Sequence, residues 1–130
     1  MLYLDSSAIV KLVVHEPETA DLVQAVQADP EIVSSGLAWT EVIIAVRRAG
    51  RPTARAECVL DGIALVPVDD GILREAAALG PKDLRTLDAI HVATAEILAA
   101  EADGESLEFW THDDRQATAA LSRGLTVHGI

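Results

Sequence analysis

Short runs of apolar, strand-forming residues recur along this chain, and longer segments with helix start and stop signals separate each run from the next. Leu2 to Leu4 reads as a first strand, Ile32 to Ser34 as a second, Ala64 to Val68 as a third, Leu107 to Thr111 as a fourth and Leu125 to His128 as a fifth. Strands separated by helices pair in parallel through right-handed crossovers, which puts helices on both faces of the sheet. The expected class is therefore α/β. Ser6 or Ser7 is expected to cap a helix reaching Val14, with Pro17 as its stop, and a second helix spans about Glu18 to Ala28. Further helices are expected over Leu37 to Ala49, Pro52 to Asp61, Asp69 or Asp70 to Leu79, Leu84 to Ala102, and Asp114 to Arg123. Gly50, Gly80-Pro81 and Gly124 supply the breaks.

With 130 residues, 50% of them hydrophobic, the chain has the means for one packed domain spanning residues 1–130 and no signature of disorder. Its longest apolar runs fall far short of the roughly 20 residues that cross a bilayer. Nothing at the N-terminus resembles an export signal, so a cytoplasmic protein with no membrane partner is expected. Cys58 is the lone cysteine, which rules out an internal disulfide and a thiolate metal cluster.

The net charge of -11 argues against a nucleic-acid partner, because phosphates are bound mainly by lysine and arginine. Acids gathered around cations would reverse the local sign without altering the count. Four acids stand where a merely solvating acid is not expected. Asp5 closes the first apolar strand, and Asp113 follows the fourth. Glu41 has Leu37, Ala38, Ile44 and Ala45 as its helical neighbours, and Asp88 has Leu84 and Val92, so both lie on apolar helix faces. In an open parallel sheet, ligands bind beyond the carboxyl ends of the strands, where the strand order reverses.

A buried ionised carboxylate costs several kcal/mol unless it is paired or bound to a metal, and the chain has only ten lysines and arginines. Oxygen-only donors suit Mg²⁺ or Mn²⁺ better than zinc. Such a site can activate water and neutralise charge during phosphodiester hydrolysis, with Asp5 expected as the central ligand, Asp88 and Asp113 as ligands or holders of metal-bound water, and Glu41 as a ligand or a water-orienting base. Each acid also has a plainer reading: Asp5 and Asp113 fit helix N-caps, and Asp88 can pair with Arg85 one turn earlier.

Taken together, Leu4-Asp5-Ser6-Ser7, Trp39-Thr40-Glu41-Val42, Arg85-Thr-Leu-Asp88-Ala-Ile-His91 and Thr111-His112-Asp113 resemble the PIN-domain family, most closely its VapC-type toxins. The resemblance spans essentially the whole chain. It implies a three-layer α/β/α fold with a five-stranded parallel sheet ordered 3-2-1-4-5. It further implies a Mg²⁺- or Mn²⁺-dependent endoribonuclease, using Asp5, Glu41, Asp88 and Asp113 as an acidic quartet on an RNA substrate. Its partners would be a cognate VapB-type antitoxin and a second copy of itself, a homodimer within a larger complex. Ser6 and Thr111 match positions whose hydroxyls support such a quartet. Asp114 departs from the basic residue often found there and is expected to be a cap.

His91, one turn after Asp88, is a candidate to orient that carboxylate. Arg47, Arg48, Arg51 and Arg55 form the only basic concentration and fit either an RNA or antitoxin contact or a solvated helix end. With Tyr3, Trp39, Phe109 and Trp110 as the only aromatics, no base-stacking platform is advertised. Two other functions compete. A phosphoacceptor receiver domain needs paired acids after its first strand and a late lysine, but here serines follow Asp5 and the last lysine is Lys82. A non-catalytic PIN-fold binding module would have no need of all four acids.

Overall fold

A computed structural model describes residues 1–14, 16, 19–103 and 105–130. In chain order its elements are β1 (Leu2–Leu4), α1 (Ser6–Val13), α2 (Ala20–Ala28), β2 (Ile32–Ser35), α3 (Leu37–Arg48), α4 (Ala54–Asp61), β3 (Ala64–Val66), α5 (Asp70–Ala77), α6 (Thr86–Glu101), β4 (Glu108–Trp110), α7 (Asp114–Ser122) and β5 (Thr126–His128). All strand pairs are parallel, in the order β3-β2-β1-β4-β5, so the expected topology is the one found. The order reverses between β1 and β4. Leu2 pairs with Ile32 on one side and with Glu108 on the other.

Alternation along these short strands divides the core in two. Leu2, Leu4 and Trp110 turn to one face and bury Ala8, Ile9, Leu22, Val42, Val46 and Leu60 from α1 to α4. Tyr3, Val33 and Phe109 turn to the other and meet Val92, Ala95, Ala119 and Ala120 of α6 and α7. Helix α5 is held against α6 by Ile72, Ala76, Ile90 and Ala93. Each large aliphatic side chain removed from water in this way stabilises the fold by about 1.5–3 kcal/mol. Among the described residues no helix is long and apolar enough to cross a membrane.

The element ends differ from expectation for local reasons. Asp5, and not Ser6 or Ser7, is the N-cap of α1: its backbone is extended and its Oδ1 accepts the Ala8 N–H at 2.9 Å. That frees both serine hydroxyls for other partners. Asp113 caps α7 in the same way, and Asp114 is the first helical residue rather than the cap. Asp69 caps α5. Strand β3 stops at Val66 because Pro67 has no N–H to continue the ladder. Helix α4 begins at Ala54 after Thr53, two residues beyond Pro52. Pro17, expected to stop α1, and Glu18, expected to open the second helix, lie outside the described residues.

Candidate active site

Where β1 and β4 end side by side, the chain turns into α1 and α7, and the N-cap positions bring Asp5 and Asp113 to the carboxyl edge of the sheet. Helices α3 and α6 deliver Glu41 and Asp88 to the same edge. Together with Ser6, Ser7, Arg85, Thr86, Leu87 and Gln116, three of the acids, Glu41, Asp88 and Asp113, line an open pocket of about 460 Å³. Asp5 lies outside that lining, fully buried at 0% exposure.

The four carboxylates are held differently. Both oxygens of Asp5 are engaged: Oδ1 accepts from Ser7 Oγ at 2.6 Å and from Ala8 N, and Oδ2 accepts from Thr111 Oγ1. Each of the other three is tied by one oxygen and leaves the other without a hydrogen bond among the described residues. Glu41 Oε1 receives Ser6 Oγ at 2.7 Å and His91 Nε2 at 2.7 Å. Asp88 Oδ1 receives Gln116 Nε2 at 3.1 Å. Asp113 Oδ1 receives the backbone N–H groups of Arg115 at 2.9 Å and Gln116 at 3.1 Å. Asp88 Oδ2 is buried without a hydrogen bond, and the Arg85 guanidinium, on a side chain 68% exposed, reaches only to 3.7 Å from it.

Two expectations need correction. His91 does not orient Asp88; its ring points inward from α6 and bridges Glu41 to the fully buried Tyr3, whose hydroxyl lies 2.8 Å from Nδ1. Arg55 is also drawn away from the basic group. Arg55 donates through Nε to the Val13 carbonyl at 3.0 Å, tying α4 to the end of α1. Arg47, Arg48 and Arg51 stand exposed at and beyond the far end of α3, with Arg47 about 9 Å along the axis from Glu41. The expected hydroxyls do meet the quartet, Ser6 at Glu41 and Thr111 at Asp5.

Sequence reasoning missed Ser7, Tyr3 and Gln116. Ser7 Oγ donates to Asp5 and accepts the His112 N–H at 2.8 Å, locking α1 to the end of β4. Thr111 is pinned from behind by Gly129, whose φ of +96° lets the backbone pass so close that a Cβ there would stand 2.5 Å from the Thr111 carbonyl oxygen. Gln116 is 5% exposed, and its Oε1 is buried without a donor, an arrangement that costs about 1–3 kcal/mol.

Burial raises the Asp5 carboxyl above its ordinary range, against the hydrogen bonds from Ser7, Thr111 and Ala8. Asp88 is raised by burial and by the charge of Asp113, with Arg85 opposing. Burial also pushes Glu41 up, but its hydrogen bond to His91, the charge of His91 and Ser6 together outweigh that and leave it lowered. For Asp5 and Asp88 the folded value exceeds the unfolded one, near pH 3.9, so their contribution to stability is fullest below that pH and is lost as pH rises through the folded value. Glu41 has the opposite sign, its contribution fading as pH falls below about 4.3. In metal-free protein the stability that neutralising Asp88 restores is therefore expected to grow as pH rises above about 3.9, so Asp88→Asn should gain on the parent in melting temperature with rising pH. A gap that shrinks with rising pH in calorimetry would contradict the raised carboxyl.

The donor set fits a hard divalent cation: three pocket carboxylates each present an unbonded oxygen, and that of Asp88 is orphaned in a buried position. In their present rotamers no three acidic, histidine or cysteine side chains among the described residues converge closely enough to hold one ion. Small rotations of Glu41, Asp88 and Asp113 about their tethered oxygens would be part of binding.

The fold and this acidic edge define a class, and the comparisons agree with it. The PIN domain family profile matches residues 2–121, and the chain belongs to that family. It is of the VapC type: "Ribonuclease VapC46" of Mycobacterium tuberculosis (strain ATCC 25618 / H37Rv) is 44% identical, over 97% of this chain and 95% of the relative. "Ribonuclease VapC47" of Mycobacterium tuberculosis (strain CDC 1551 / Oshkosh) is 38% identical, over 88% of this chain and 86% of the relative. Among solved structures, a chain of a toxin-antitoxin complex from Klebsiella pneumoniae superposes with a TM-score of 0.72 over 100% of both chains, at 21% identity, and shares the fold.

Proposed function

We propose that residues 1–130 form one ribonuclease domain, the toxin of a toxin-antitoxin pair, which hydrolyses RNA phosphodiester bonds in a divalent-metal-dependent reaction at Asp5, Glu41, Asp88 and Asp113. The observation that carries this reading is the pattern of carboxylate oxygens. Around one pocket at the sheet's reversal point, Glu41, Asp88 and Asp113 each have one oxygen fixed by the protein and one left for a ligand. The names of the relatives support the cleavage of RNA.

Asp88 and Asp113 would hold Mg²⁺ or Mn²⁺, with Asp5 contributing its charge from below and Glu41 left free to act on water. When bound, the cation would polarise the phosphate and lower the pKa of a coordinated water. The chain's own part is to position and to keep charge. Glu41, held ionised by His91 and Ser6, orients water through Oε2 and accepts its proton as the water oxygen bonds to phosphorus and the leaving ribose oxygen departs. Thr111 and Ser7 fix Asp5, so its charge lies under the pocket without reorganisation. The cation also answers the excess of acids, since it supplies the positive field that draws RNA to a chain of net charge -11.

A cytoplasmic VapB-type antitoxin and a second copy of the chain are the proposed protein partners. Trp39 and Ile44 on α3, Leu73 on α5 and Leu87 on α6 are large apolar side chains left exposed on helices that frame or adjoin the site, as an interface would require. Purified protein is expected to cut RNA in Mg²⁺ or Mn²⁺ and to stop on chelation. Cleavage that persists in excess chelator would refute the metal dependence, and the absence of any cleavage would favour a PIN-fold binding module.

A further inference from the structure

Asp113-Asp-Arg-Gln116 has the spacing of a capping box, in which the residue three after the cap turns its side chain back to accept the cap's own N–H. The structure breaks that pattern. The Asp113 N–H goes instead to Thr111 Oγ1 at 3.0 Å, and the Gln116 side chain reaches across to Asp88, 3.1 Å from Nε2 to Oδ1. Because a carboxylate only accepts, the amide nitrogen must face Asp88. The amide oxygen is thereby left buried and without a donor. Gln116 also gives its backbone N–H to Asp113 Oδ1 at 3.1 Å.

One residue thus donates to two acids that repel each other, for the charge of Asp113 raises Asp88. We infer that Gln116 is a positioning residue which clamps Asp88 and Asp113 at a fixed separation through their Oδ1 atoms, leaving both Oδ2 atoms for a divalent cation. A side chain kept only for packing at this 95%-buried place would be better served by leucine or methionine, which strand no acceptor. The amide is neutral, so it draws the two carboxylates together without spending the charge the cation needs. The inference rests on the proposed metal site.

Mn²⁺ alone, titrated calorimetrically into the full-length chain, tests it with Gln116→Leu, Gln116→Met and Asp88→Asn. The leucine and methionine variants are expected to melt near the parent temperature without metal and to bind Mn²⁺ roughly 10- to 100-fold more weakly, the usual loss when a residue orienting a metal ligand is removed. A purely structural role would lower the metal-free melting temperature and leave the affinity unchanged. Parental Mn²⁺ affinity in whichever Gln116 variant folds, alongside a loss in Asp88→Asn, overturns the clamp while sparing the site. Parental affinity in Asp88→Asn overturns the site itself, and the clamp with it.

Discussion

Asp5→Asn is expected to cleave RNA about 10²–10³-fold more slowly than the parent chain while melting close to it, because the substitution separates two roles that one carboxylate combines. As the cap of α1, Asp5 needs only an oxygen facing the Ala8 N–H, and asparagine caps as well as aspartate. The amide nitrogen would then face Thr111 Oγ1, whose hydroxyl can turn to accept it. The fold has no reason to fail, but the buried negative charge beneath the pocket is gone. Asp5→Ala is the contrasting case. It removes the cap, worth about 1 kcal/mol, and strands two hydroxyls, so that variant should melt earlier as well as lose activity. Steady-state cleavage with parallel calorimetry distinguishes the two. An active Asp5→Asn enzyme would leave the residue as a cap and nothing more.

Tyr3→Ala should lose about 3–5 kcal/mol of stability, a large share of the roughly 5–15 kcal/mol that a domain possesses. Tyr3 is 0% exposed, stacked on Phe109 with ring centroids 5.2 Å apart, and bonded through its hydroxyl to His91. Deleting the ring opens a cavity at the centre of the sheet and also frees the imidazole that holds Glu41. Tyr3→Phe isolates the second effect. It keeps the ring and strands His91 Nδ1, so it should cost about 1–3 kcal/mol in urea unfolding. If Tyr3→Phe matched the parent in stability and rate, the Tyr3–His91–Glu41 chain would be incidental to the site.

The α/β class was readable because its signals are periodic, and the strand order came only with the resemblance to the PIN-domain family. Short apolar strands alternate with capped helices, and that alternation leaves parallel pairing as the natural solution. The four acids stand out in the sequence because each sits where a solvating acid is out of place, and the structure brings them to one sheet edge. What escaped is three-dimensional. The sequence offers Asp5 and the two serines after it alike as caps, and only the turn out of β1, which leaves Asp5 in the extended conformation a cap requires, decides between them. His91 was assigned to Asp88 by proximity along the helix, whereas burial turned it toward the sheet and Glu41. Gln116 carried a local signal pointing elsewhere, toward its own backbone, and only the arrival of Thr111 at the Asp113 N–H released it for Asp88. Arg55 looked like part of a basic patch but spends its guanidinium on the end of α1.

The most direct test is cleavage of an end-labelled RNA by the purified chain across a Mn²⁺ titration, run beside Asp5→Asn, Glu41→Gln, Asp88→Asn and Asp113→Asn. Cleavage should rise with Mn²⁺ in the parent and fall about 10²-fold or more in each folded variant. Parental rates in Asp88→Asn and Asp113→Asn would contradict the proposed site.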